Sequence, residues 1–106
     1  MDRYFILDGH EPVACDLMTW CNWFETANRH VRLTEQGDVR ISTVFLGLDH
    51  AWGGGRPELF ETMVFGFAGG NDMERYATWD EADAGHDRWV RQIFKATPIL
   101  KLPEKA

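Results

Sequence analysis

No stretch of this 106-residue sequence approaches the roughly 20 consecutive apolar positions that a membrane-crossing helix needs. The N-terminal MDRYFILDGH has Asp2 where a secretion signal carries positive charge, and its apolar run is only a few residues long. A protein of the cytoplasm, with no membrane partner, is the expectation. Cysteine is scarce: Cys15 and Cys21 are the two present, and they form no C-x-x-C pair of the kind that zinc or redox chemistry uses. On one helix they would stand about 9 Å apart along the axis, so free thiols in a reducing compartment are expected. Positive charge is short as well. With 11 Lys and Arg against 17 Asp and Glu, the net charge is −6, which disfavours direct binding to nucleic acid or to an anionic membrane. No G-x-S-x-G marks a nucleophile, no H-E-x-x-H a zinc site and no G-x-x-x-x-G-K-[ST] a phosphate loop.

What is present is apolar and aromatic. Hydrophobic residues make up 44% and aromatics 13% of the chain, including five Trp and seven Phe, far from the composition of a disordered segment. The length suits a single domain, 1–106, with a tail at 98–106 either packed or loosely attached. RYFILD, residues 3–8, reads as a strand, and the Asp-Gly after it turns the chain back. From an Asp16 N-cap, Leu17, Trp20, Cys21, Phe24, Ala27 and Val31 recur at spacings of three and four, which predicts a helix to about Arg29 with this stripe in the core. Gln36-Gly37-Asp38 then separates two strand-like runs, the second of which, Val39 to Leu48, is apolar on both faces and reads as central.

ELFETMVFGF follows as a strand with Phe60, Thr62 and Val64 on one face, and MERYAT supplies a short further strand. Thr78-Trp79-Asp80-Glu81 is a capping box opening a second helix. Its stripe runs Ala82, His86, Trp89, Val90, Ile93 and Phe94, and Pro98 ends it. The expected fold is α+β: a mainly antiparallel sheet of four to five strands with two amphipathic helices on one face.

Several segments could carry function. DHAWGGGRP, residues 49–57, joins two strands with three glycines, and Trp52 and Arg56 at its edges could clasp an anionic or planar group. A long hairpin loop explains the same residues. Between Asp72 and Asp87 six acidic residues face a single base, Arg75, which is either a contact surface or the acidic start of a helix that ends in bases. Gly85 is costly in a helix interior and signals a close approach by another element, the sheet being the plainest choice. Its neighbour His86 then lies hydrogen-bonded at the core edge, or else points into a cleft with His50 or His10. Asp8, His10, Asp49, His50 and His86 are all ligand types, but their spacing forms no metal pattern, so no metal or other cofactor is expected.

The segments DVRISTVFLGLDH, LFETMVFG and RYATWDEADAGH resemble those of a family of small proteins encoded by bacteriophages and prophages. The resemblance spans about Trp20 to His86 and brings no assigned activity with it. It implies an accessory protein that works by stoichiometric binding in the bacterial cytoplasm, such as an inhibitor of a host defence complex. A host protein is then the expected partner, and self-association is open. The alternatives are a nucleotide-signal sponge or small metal-dependent enzyme using His50 and His86, with Arg56 on a phosphate, and a virion or scaffold component. Asp49, His50, Trp52, Arg56 and His86 are the candidate binding residues.

Overall fold

In the computed structural model, which describes residues 3–51, 55–67 and 72–96, the chain forms two antiparallel sheets and two helices. Strands β1 (Tyr4–Asp8) and β2 (Glu11–Cys15) make a hairpin that turns on Gly9 at φ 64°. Helix α1 (Leu17–Thr26) follows, then β3 (His30–Gln36), β4 (Val39–Phe45), β5 (Phe60–Phe65), β6 (Met73–Tyr76) and helix α2 (Trp79–Ala96). The larger sheet has the order β3-β4-β5-β6, so every strand pairs with its sequence neighbour and β4 is internal, as its two apolar faces predict. Thus the α+β class is realised, with the N-terminal hairpin as a second, smaller sheet. The Pro98 stop and the 98–106 tail lie outside the described residues.

Alternation of period two sets the core. Ile41, Thr43 and Phe45 of β4 and Phe60, Thr62 and Val64 of β5 are buried, while their neighbours are half-exposed. Helix α2 crosses this face and touches all four strands. Its expected stripe is realised: Ala82, His86, Ile93 and Phe94 are buried and Trp89 and Val90 half-buried. Two apolar clusters result, one around Phe45, Leu59, Phe60, Tyr76 and Ala82, the other around Ile41, Val64, Ile93 and Phe94. Each buried Phe removes enough apolar surface to contribute about 2–3 kcal/mol.

Helix α1 departs from its predicted form. Asp16 caps it as expected, its Oδ1 accepting the Thr19 N–H at 2.8 Å, but the helix ends at Thr26 because Ala27 is already extended at ψ 146°. Asn28 Oδ1 then accepts the His30 N–H at 3.1 Å and starts β3. The helix packs on β1, where Trp20 meets Tyr4 at 5.6 Å between ring centroids, and reaches the main core through Trp23, edge-on to Phe45 at 5.7 Å. None of its residues is fully buried, and Leu17 and Cys21 of the predicted core stripe are exposed. Cys15 and Cys21 are free thiols.

The hairpin joins the larger sheet beyond β4. Phe5 N–H donates to the Gly47 carbonyl at 2.9 Å and Asp49 N–H to the Arg3 carbonyl at 3.2 Å. Gly47, at φ 80°, is required here twice over: the backbone is left-handed, and a Cβ would stand 2.8 Å from Trp20 Nε1. That indole N–H is buried with no partner among the described residues, a penalty of about 1–3 kcal/mol. Trp20→Phe keeps the stacking on Phe24 and removes the orphaned donor. Urea unfolding should therefore find it within about 1 kcal/mol of wild type or more stable. A loss above about 2 kcal/mol would show that the N–H is satisfied.

Candidate functional site

A polar row lies between the two apolar clusters. Cross-strand register aligns Arg32, Thr43, Thr62 and Glu74 across all four strands on the face beneath α2. His86, fully buried, sits over its centre, with Nδ1 2.7 Å from Thr43 Oγ1 and Nε2 2.8 Å from Thr34 Oγ1. Thr43 and Thr62 hydroxyls are 2.5 Å apart, and the Tyr76 hydroxyl stands 3.0 Å from both Thr62 Oγ1 and Glu74 Oε1. Both ends are closed by ion pairs to α2. Arg32 bonds Asp83 at 2.7 Å and Asp87 at 2.9 Å, while Glu74 accepts from Arg88 at 2.6 Å and from Trp89 Nε1 at 2.9 Å.

Protons in this row can be ordered. Although burial opposes it, hydrogen bonds from Arg88, Trp89 and Tyr76 hold the Glu74 carboxyl below its ordinary 4.5, so it is an ionised acceptor. Burial holds the Tyr76 phenol above its ordinary 10.0, so it keeps the one proton it gives to Glu74. Thr62 then donates to Tyr76, Thr43 to Thr62, His86 Nδ1–H to Thr43, and Thr34 to His86 Nε2. Every hydroxyl gives one bond, and the imidazole is the neutral Nδ1–H tautomer. Burial, reinforced by the Arg32 charge, holds the His86 pKa below its ordinary 6.5, against the pull of Asp87 and Asp83.

His86 is thus at the middle of the helix–sheet interface, with both ring nitrogens occupied and neither left to take a metal or ligand. His10 and His50 lie elsewhere: His10 is exposed and stacks on Trp79 at 3.7 Å, and the His50 N–H bonds the Glu58 carbonyl at 3.2 Å. Among the described residues no three His, Cys, Asp or Glu side chains gather as a metal would require.

The 49–57 loop is held at its base. Asp49 Oδ1 accepts the Ala51 N–H at 2.8 Å and the Glu58 N–H at 3.0 Å, which makes this carboxylate a staple of the loop. Trp52 lies outside the described residues. Arg56 pairs with Glu81 at 2.7 Å in the first turn of α2, and a shallow cleft of about 400 Å³ opens between them and Arg75, itself paired with Glu61. Glu81 also accepts the Ala77 N–H at 3.1 Å and gives its own N–H to Thr78 Oγ1, so the capping box forms with its carboxylate reaching one residue further back than expected. Of the six acids between Asp72 and Asp87, Glu74, Glu81, Asp83 and Asp87 are in ion pairs. That stretch is mainly a set of internal clasps.

A surface that the periodicity of the sequence concealed is the outer side of α1. Its ten residues, LMTWCNWFET, carry a single charge, Glu25, in a chain of net charge −6. Leu17 is 52% and Met18 73% exposed, and Val13 of β2 is 41% exposed. Trp20, Trp23 and Phe24 cover the inner side, and on the outer side Leu17 and Met18 reach solvent among Thr19, Asn22 and Glu25, two large apolar side chains exposed on a weakly charged helix. No helix among the described residues is long and apolar enough to cross a membrane. No protein-family model, curated protein or solved structure matches the chain.

Proposed function

We propose that the protein acts by stoichiometric binding to another protein, with the outer face of α1 as its contact surface. The observation that carries this reading is Met18, a large apolar side chain 73% exposed on a nearly uncharged helix. Two exposed apolar side chains on a weakly charged helix suit an apolar groove on a partner, where Leu17 and Met18 act as anchors, the flexible thioether adapts to the groove and Asn22 and Glu25 stay at its rim. The resemblance to phage-encoded proteins fits such a role in the bacterial cytoplasm, with a host protein, for instance a component of a defence complex, as the target. The reading through His50 and His86 draws no support, because His86 is committed to Thr34 and Thr43.

The test is affinity capture from a bacterial host with native mass spectrometry of the product. Wild type is expected to retain one host protein at fixed stoichiometry. Met18→Asp, a change at an exposed position that leaves the core alone, should weaken retention at least about 30-fold, the loss of a buried apolar anchor worth roughly 2 kcal/mol or more. Capture unaffected by Met18→Asp would overturn the assignment of the surface. Extra mass from a nucleotide or metal, with no protein retained, would overturn the function.

A further inference from the structure

The face of the larger sheet opposite α2 is the second place where large apolar side chains reach solvent. Register places Leu33, Ser42, Met63 and Met73 side by side in one row across all four strands. Leu33 and Met73, at the two ends, are 50% and 47% exposed, and Met63 is half-exposed. One flanking row holds His30, Val44, Glu61 and Arg75, the other Glu35, Arg40 and Phe65. Among the described elements α2 alone packs extensively on this sheet, and it packs on the other side.

The charges on this face are matched. Glu61 and Arg75 form an ion pair at 3.1 Å, Arg40 lies 4.7 Å over the Phe65 ring, and Glu35 is the cross-strand partner of Arg40. Two Glu and two Arg give zero net charge on this face, whereas the whole chain carries −6. A polyanion gains nothing here. A second copy of the chain, which the rest of the surface would repel, meets no repulsion here.

We propose that this face is the contact between two copies of the chain, packed sheet on sheet about a two-fold axis. Such an interface is self-complementary by symmetry, and the row of Leu33, Ser42, Met63 and Met73 meets itself whichever way the axis runs. With the axis along the strands, Leu33 of each copy lies over Met73 of the other. With the axis across them, like residues meet. In both cases each flanking row brings one acid and one base, so no like charges are left opposed without a counter-charge. Aligned sheet packing about 10 Å apart suits side chains of this size. Four strands about 4.8 Å apart and six residues long span roughly 400 Å² in projection, about half the ~800 Å² per partner of a standard interface. The dimer is therefore reversible and depends on concentration.

Sedimentation velocity from about 10 µM to about 1 mM, the range where a small interface associates, tests this. Wild type and Met18→Asp should both shift from monomer to dimer as concentration rises. Leu33→Asp and Met73→Asp, both at exposed edge positions that keep the fold, should remain monomeric throughout. Added salt should strengthen the dimer by screening the overall repulsion of two chains of charge −6. A wild type monomeric at every concentration overturns the proposal. So does a dimer that persists in both Asp variants, or one abolished by Met18→Asp.

Discussion

Replacing His86 by alanine is expected to remove about 4 kcal/mol of stability, one of the largest effects available in this chain. The change deletes a fully buried ring, leaves the half-buried Thr34 hydroxyl without its partner at 2.8 Å, and takes from Thr43 the imidazole at 2.7 Å, so that Thr43 keeps only Thr62. A buried polar group that loses its partner costs about 1–3 kcal/mol, and the cavity left by the ring adds the larger share. Against a total of about 5–15 kcal/mol for a typical domain, that is enough to leave a marginal fold largely open. The triple variant Thr43→Val, Thr62→Val, His86→Leu removes the two fully buried threonine hydroxyls together with the imidazole, leaves only the half-exposed Thr34 hydroxyl to turn to solvent, and should recover most of the loss, as buried polar groups replaced as a set often do. Urea midpoints decide the matter. A cost below about 1 kcal/mol for His86→Ala, or a triple variant worse than the single one, would mean that the hydrogen-bonded row is not what holds α2 to the sheet.

The same row predicts a pH dependence with a definite sign. His86 is held below its ordinary 6.5 when folded, so at higher pH it is neutral in both states and contributes no slope. Below pH 6.5 the unfolded chain takes up a proton that the folded one refuses. The unfolded state then binds more protons, and stability falls with falling pH by up to ~1.4 kcal/mol per unit until the folded pKa is reached. Asp16, Glu74, Glu81 and Asp87, all held below their ordinary values of 3.8 or 4.5, act in a lower window. Their contribution is present above it and lost in stronger acid. The decline between about pH 6.5 and 5 should therefore be the part by which wild type exceeds the triple variant, measured as stability against pH for both proteins.

Much of this architecture is legible in the residues, and what is not has a physical reason. The α2 stripe could be read because an 18-residue helix over a sheet keeps one face inward along its whole length. The buried face of β5 followed from period two. Helix α1 misled because Leu17 and Cys21 have the spacing of a core stripe, yet the helix turns Trp20, Trp23 and Phe24 inward, which leaves Leu17 and Cys21 on the solvent side. The polar row was invisible for another reason. Thr34, Thr43 and Thr62 are ordinary strand formers, and only the register of β3, β4 and β5 places them around one histidine. One clue did stand in the sequence, the costly Gly85 next to His86, and it pointed correctly to a close approach by the sheet. Asp49 shows the reverse case, since its residue type suggests a ligand and its geometry makes it a loop staple.

Gly85 supplies the second large effect. The Tyr76 ring and hydroxyl rest against its Cα, and a Cβ there would overlap the ring edge and the hydroxyl oxygen. Alanine favours a helix interior over glycine by about 1 kcal/mol, so on propensity alone Gly85→Ala should stabilise α2. The contact reverses the sign. Tyr76 is buried among Phe60, Leu59 and Ala82, which limits how far its ring can yield. Displacing it also breaks its bonds to Thr62 and Glu74, at 3.0 Å each. Overpacking and the lost hydrogen bonds together should cost about 3 kcal/mol net. A double-mutant cycle isolates the cause: Tyr76→Leu is destabilising alone, but in the Gly85→Ala background it should cost at least about 1 kcal/mol less, because the clash is then absent. If Gly85→Ala instead raises stability by the propensity difference, Tyr76 is not seated on the helix backbone, and the row from His86 to Glu74 cannot run as described.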